Sequence, residues 1–110
     1  MLRWLFVFFI CVILGACTED SNPPTKTARV ADAERGKRVY LAQCIACHNS
    51  DPAREGPLGP SIKGSSQALL EARILQASYP PGYTPKRKTS LMPPQPYLKS
   101  ALPDLAVFLK

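Results

Sequence analysis

The sequence predicts a small all-α domain of three to four short helices joined by long proline-rich loops. Three observations point that way. Apolar residues recur at helical spacing over about 32–47, 67–77 and 101–109. Many of the 12 prolines crowd into 79–96, where missing amide donors and fixed φ angles block regular helix. Finally, Cys44-Ile45-Ala46-Cys47-His48 puts two thiols and the chain's 1 histidine into a single short run at the end of the first helical stretch. A chain of 110 residues has room for one such domain.

The elements follow in order. Arg3 and the apolar run Leu5–Ala16 have the form of a signal sequence. The run is too short to span a bilayer, which takes ~20 residues. It ends in Leu14-Gly15-Ala16-Cys17, which resembles the bacterial lipobox, where cleavage precedes a lipidated cysteine. Residues 1–16 are therefore expected to be a signal peptide, and Cys17 the lipidation site. Residues 17–31 are polar, contain Pro23-Pro24 and read as a flexible tether of at most ~45–50 Å. The folded domain is expected over 32–110.

Asp32 is the expected N-cap of the first helix. Gly36, Val39, Tyr40, Cys44 and Cys47 fall on one face, while Arg35, Lys37 and Arg38 face away. Gly36 costs such a helix ~1 kcal/mol relative to alanine, which implies close approach of another helix. Cys-x-x-Cys-His is the pattern of covalent haem attachment. Two cysteines one helical turn apart can reach two vinyl groups on one porphyrin edge, and the adjacent imidazole can reach the iron. A redox dithiol and half of a zinc site are the competing readings of the same spacing.

Asn49–Gly59 is loop by composition. Ser65 or Ser66 caps a second helix over Gln67–Ala77, with Leu70, Ile74 and Ala77 on its apolar face. The loop Tyr79–Pro96 holds Met92, one of 2 methionines, beside Pro93. Ser100 is the expected cap of a last helix, Ala101–Leu109, with Pro103 in its first turn and Leu105, Phe108 and Leu109 as its stripe.

Taken together, Gly36-x-x-Val39-Tyr40-x-x-x-Cys44-x-x-Cys47-His48 resembles the first helix and haem site of class I, monohaem cytochrome c. Gly59-Pro60-x-Ile62 is similar to that family's Gly-Pro-x-Leu, Met92-Pro93 to its sixth-ligand segment, and Leu105-Ala-Val-Phe108-Leu to its terminal helix. The resemblance implies the small cytochrome c fold around one covalent haem c on Cys44 and Cys47. It implies His48 and Met92 as axial ligands of the iron. It also implies that the Pro60 carbonyl accepts from the other nitrogen of His48, with Pro57 as the alternative, and that Phe108 packs over Gly36.

These features favour an electron carrier over an enzyme, since two filled axial positions leave iron no site for a substrate. A haem enzyme subunit or gas sensor would need Met92 displaced. A thiol–disulfide module would leave Cys44 and Cys47 free, and a zinc module would need further ligands. The formal charge of +6 comes without interleaved aromatics, which argues against nucleic acid. The expected partners are acidic redox proteins, docking at Lys86, Arg87 and Lys88, and a lipid membrane reached through Cys17. The protein is expected to be a monomer, lipid-anchored in a bacterial envelope and facing the periplasm, with the outer membrane favoured.

Overall fold

The computed structural model describes residues 29–110. The expected signal sequence, Cys17 and most of the tether lie outside the described residues. Helix α1 spans Ala33–Gln43, α2 Gln67–Gln76 and α3 Leu102–Phe108, with a 3-10 turn over Pro96–Ala101 leading into α3. Among the described residues there is no strand, and no helix is long and apolar enough to cross a membrane.

Each helix starts for a local reason. Asp32 caps α1, its carboxylate accepting from the Arg35 amide at 2.9 Å. Ser66, rather than Ser65, caps α2 by accepting from Leu69 N at 3.2 Å. Both side chains satisfy an amide that has no partner inside the helix. Helix α3 has no side-chain cap, so the expected capping role of Ser100 does not hold. The chain instead winds into α3 through the preceding 3-10 turn, and Ser100 lies inside that turn. Pro103 sits in the first turn of α3, where a missing amide costs nothing.

Further sequence expectations need correction. The first helix stops at Gln43, and Cys44 is its C-cap. The segment Cys44–Cys47 continues as a tight turn, with Cys47 N and His48 N both donating to Cys44 O at 3.2 and 2.9 Å. Ala77 is exposed and is not on the buried face of α2. It is the C-cap, at φ +53°, and its amide donates back to the last turn of the helix.

The core is a single cluster of Tyr40, Leu70, Ile74, Leu98, Leu102, Leu105, Ala106 and Leu109. Helix α1 packs across α3, and α2 packs on the 3-10 turn and α3. At the α1–α3 crossing, a Cβ on Gly36 would lie 2.1 Å from the Asp104 carbonyl oxygen and 2.9 Å from Phe108 Cβ. This is the close approach that the cost of a helical glycine implied, and Phe108 is part of it. Phe108 then turns toward Tyr40, with ring centroids 5.5 Å apart and planes tilted by 49°. Tyr40 is wholly buried and donates its hydroxyl to the Asn49 carbonyl. That burial pushes its phenol up to about 12.

An ionic cluster closes the same crossing. Asp104 is buried, with 2% of its surface exposed. It accepts from Arg35 at 3.1 Å, from the Asp32 amide at 2.8 Å, and from the Arg29 guanidinium. Arg35 therefore turns inward instead of facing away. Its hydrogen bonds hold the Asp104 carboxyl well below the usual carboxylate range, overcoming the opposing effect of burial. The Asp32 amide and Arg29 add to that.

Candidate functional site

The Cys-x-x-Cys-His turn sits where α1 ends, so the helix sets the direction of both cysteines. Cys44 and Cys47 are half-buried and not joined to each other. Burial, and then the neighbouring Cys47, pushes the Cys44 thiol up to about 11. A redox dithiol works the other way, with a surroundings-depressed thiol that is thiolate near neutral pH. Among the described residues no three His, Cys, Asp or Glu side chains are grouped to hold a bare metal ion.

His48 is buried at 8% exposure, and the loop 56–60 wraps its ring. Leu58 N and Gly59 N both donate to the Cys47 carbonyl, at 3.1 and 2.8 Å, and Gly56 N donates to Gly59 O at 2.9 Å. These bonds fold the loop onto the turn that carries His48. Gly59 then lies flush on the imidazole: a Cβ there would fall 2.5 Å from Cε1 and 2.6 Å from Nδ1. Gly56 stands as close to the backbone, with a Cβ position 2.4 Å from Cys47 O. Only glycine permits either approach.

The loop also fixes the imidazole's tautomer. His48 Nδ1 lies 2.8 Å from the Pro60 carbonyl oxygen. A carbonyl oxygen can only accept, so Nδ1 carries the proton and the lone pair is on Nε2. Such a contact orients a ligating histidine and raises its basicity.

Cys44, Cys47, His48 and Met92 all line one cavity of about 350 Å³. Its volume lies in the range of small-molecule sites, ~300–1,000 Å³. Leu70, Ile74, Leu105 and Leu109 supply apolar walls, and Arg73, Lys86 and Arg87 also line it. Met92 is partly buried against the core. A flat apolar ring with two carboxylates matches this lining, and an imidazole and a thioether are a donor pair suited to haem iron. The residues present therefore fit the group that the motif implies.

Of the expected docking triplet, Lys86 donates to Ser61 O at 2.7 Å and Arg87 pairs with Glu55, while Lys88 is exposed. Sequence reasoning missed Gly56 and Gly59 as packing positions. The available signal was the pair of Gly-Pro dipeptides, Gly56-Pro57 and Gly59-Pro60, in a loop next to the only histidine. It also missed the Arg73–Tyr79–Tyr83 stack at the cavity. There the Arg73 guanidinium carbon lies 4.5 Å from the Tyr79 ring centroid, and the two tyrosine rings are 5.4 Å apart and nearly parallel.

Comparison with known proteins bears on this arrangement. The Cytochrome c family profile matches residues 33–110. A protein from Synechocystis sp. described as cytochrome c-553-like is 36% identical over 44 residues. That match covers 40% of this chain and 40% of that protein. A search of the solved structures finds no significant match. The profile match takes in α1, the cysteine turn, the Pro60 loop, Met92 and α3 together. Cys44, Cys47 and His48 fit its haem-attachment motif, so the chain belongs to the cytochrome c family and holds haem c covalently.

Proposed function

We propose that the protein is an electron carrier whose haem iron is ligated by His48 and Met92. The observation that carries this reading is one cavity lined by both candidate ligands and both cysteines. The haem supplies a one-electron couple at its iron. His48 presents Nε2, because Nδ1 is held by the Pro60 oxygen at 2.8 Å. Gly59 keeps the ring from tilting toward its own side. Met92 offers a soft sulfur, which favours the reduced iron and raises the potential. With Met92 in place, no axial position is open to a gas or a substrate. Core side chains such as Leu70 and Leu105 line the cavity and exclude water from it, so little solvent has to reorient when the iron changes charge.

The deciding experiment is Met92→Ala in the holoprotein. Loss of the near-infrared sulfur–iron band of the oxidised state, with a lower potential, is the expected result. A band kept by the variant would refute Met92 as ligand, and a band absent from wild type would point to a nitrogen ligand such as a lysine of the same loop. Haem leaving freely into acidified acetone would refute the covalent links.

We further read the protein as working outside the cytoplasm, held to a bacterial membrane through lipid on Cys17. The lipobox-like run directly after the apolar segment supports that. Lys86 lines the cavity and Lys88 is exposed close by in sequence, which supports an acidic redox partner steered there by charge, with Arg87 already paired to Glu55.

A further inference from the structure

The loop that carries Met92 has little backbone support. Between residues 84 and 94, no described backbone amide or carbonyl takes part in a backbone–backbone hydrogen bond outside helices. The flanking bonds are Tyr83 N to Pro80 O at 3.1 Å and Gln95 N to Ile74 O. What ties this segment down is a set of side-chain contacts to the loop at 55–61. Lys86 Nζ donates to the Ser61 carbonyl at 2.7 Å and reaches its hydroxyl at 3.3 Å. Arg87 pairs with Glu55 Oε2 and donates to the Gly56 carbonyl at 3.3 Å. Glu55 Oε1 accepts from the Ser61 amide at 3.4 Å, so this one carboxylate touches both partners of the crossing.

The two loops joined in this way both line the cavity. Residues 56–60 wrap His48, and residues 85–90 lead into Met92. Among the described ion pairs, Glu55–Arg87 links these two loops, while the others gather on Asp32 and Asp104. We propose that Glu55, Arg87 and Lys86 form a clasp that positions the Met92 segment against the His48 loop and sets how readily the Met92 sulfur leaves the iron. The clasp rests on the axial role given to Met92 above. Glu55, Arg87 and Lys86 are positioning residues, because they act on the iron only through the loops they join. Arg87 reaches both acceptors, the Glu55 carboxylate and the Gly56 carbonyl, from the one nitrogen Nη2.

The test is imidazole binding to the ferric holoprotein, followed through the sulfur–iron band. Wild type, Glu55→Gln, Arg87→Gln, the double variant and Lys86→Gln are compared. An exposed pair of this kind is expected to make displacement of Met92 about two- to five-fold easier when broken. The double variant should match the single ones, because either change breaks the same contact. The differences should shrink at 1 M salt, where charges are screened beyond ~3 Å. The unfolding midpoint should change much less than imidazole binding does. Equal imidazole binding in all variants would overturn the clasp. So would additive effects in the double variant, or a loss of global stability as large as the gain in imidazole binding. A band absent from wild type, or kept by Met92→Ala, would overturn the ligation reading and the clasp with it.

Discussion

Replacing Gly36 by alanine tests how α1 and α3 hold the domain together. An alanine Cβ would stand 2.1 Å from the Asp104 carbonyl oxygen and 2.6 Å from its carbonyl carbon, where ordinary contact begins near 3.4 Å. Both atoms are helix backbone, so no side chain can swing away to make room. The helices must part by about 1.3 Å or more at the crossing. Overpacking of this kind costs ~1–3 kcal/mol. Separation also weakens the Tyr40–Phe108 contact, worth ~0.5–1.5 kcal/mol. Against this, alanine gains ~0.5–1 kcal/mol over glycine within a helix. The net expectation is a loss of ~1–3 kcal/mol. At ~4–8 °C per kcal/mol for a domain this size, Tm falls by roughly 5–20 °C. Thermal unfolding of the holoprotein, followed by far-ultraviolet circular dichroism, measures it. A Tm equal to or above wild type would mean that helix propensity outweighs the contact, and the account of Gly36 would fail.

Gly59→Ala should push the His48 ring off its face and lengthen the 2.8 Å contact with Pro60. The expected result is a poorer yield of holoprotein and a shifted potential, and a variant unchanged in both would show that the loop yields freely. Asp104→Asn should lower Tm by several degrees at pH 7, because Arg35 loses its buried partner. The native Asp104 carboxyl is depressed, so its stabilising effect is complete above the unfolded value of ~3.9 and fades as pH falls below it. The gap between wild type and variant should therefore narrow in acid, and a gap constant from pH 7 to pH 3 would contradict the assignment. Cys17→Ala should move the protein from the detergent phase to the aqueous phase on partitioning, and equal aqueous recovery of both forms would count against a lipid anchor.

What could be read in advance was what acts locally. The cap at Asp32, the apolar faces of α1 and α2, and the proline in the first turn of α3 each depend on a few neighbouring residues. The Gly36–Phe108 contact is long-range, and it was legible because a helical glycine carries a cost and the family resemblance supplied the partner. The Asp104 cluster had no such signal. An aspartate in the first turn of a helix looks like an ordinary complement to the helix dipole. Its partner Arg35 is 69 residues away, on what the periodicity made an outward face. Lys86 and Arg87 were opaque for the same reason, since a short basic run says nothing of a carboxylate 32 residues earlier. Ser100 is the opposite case: a good capping residue in the right place, pre-empted by a 3-10 turn that begins at Pro96.

The crossing of α1 and α3 also bears on the order in which the molecule matures. The two helices come from the two ends of the described domain, and the Arg35–Asp104 contact between them spans 69 residues. Contacts that distant close late, because a long loop must lose its freedom before they form. Helix α1 therefore buries its glycine face only against the far end of the domain. Because Leu105 and Leu109 of that last segment line the cavity, the same closure completes the wall around the Cys44–His48 turn.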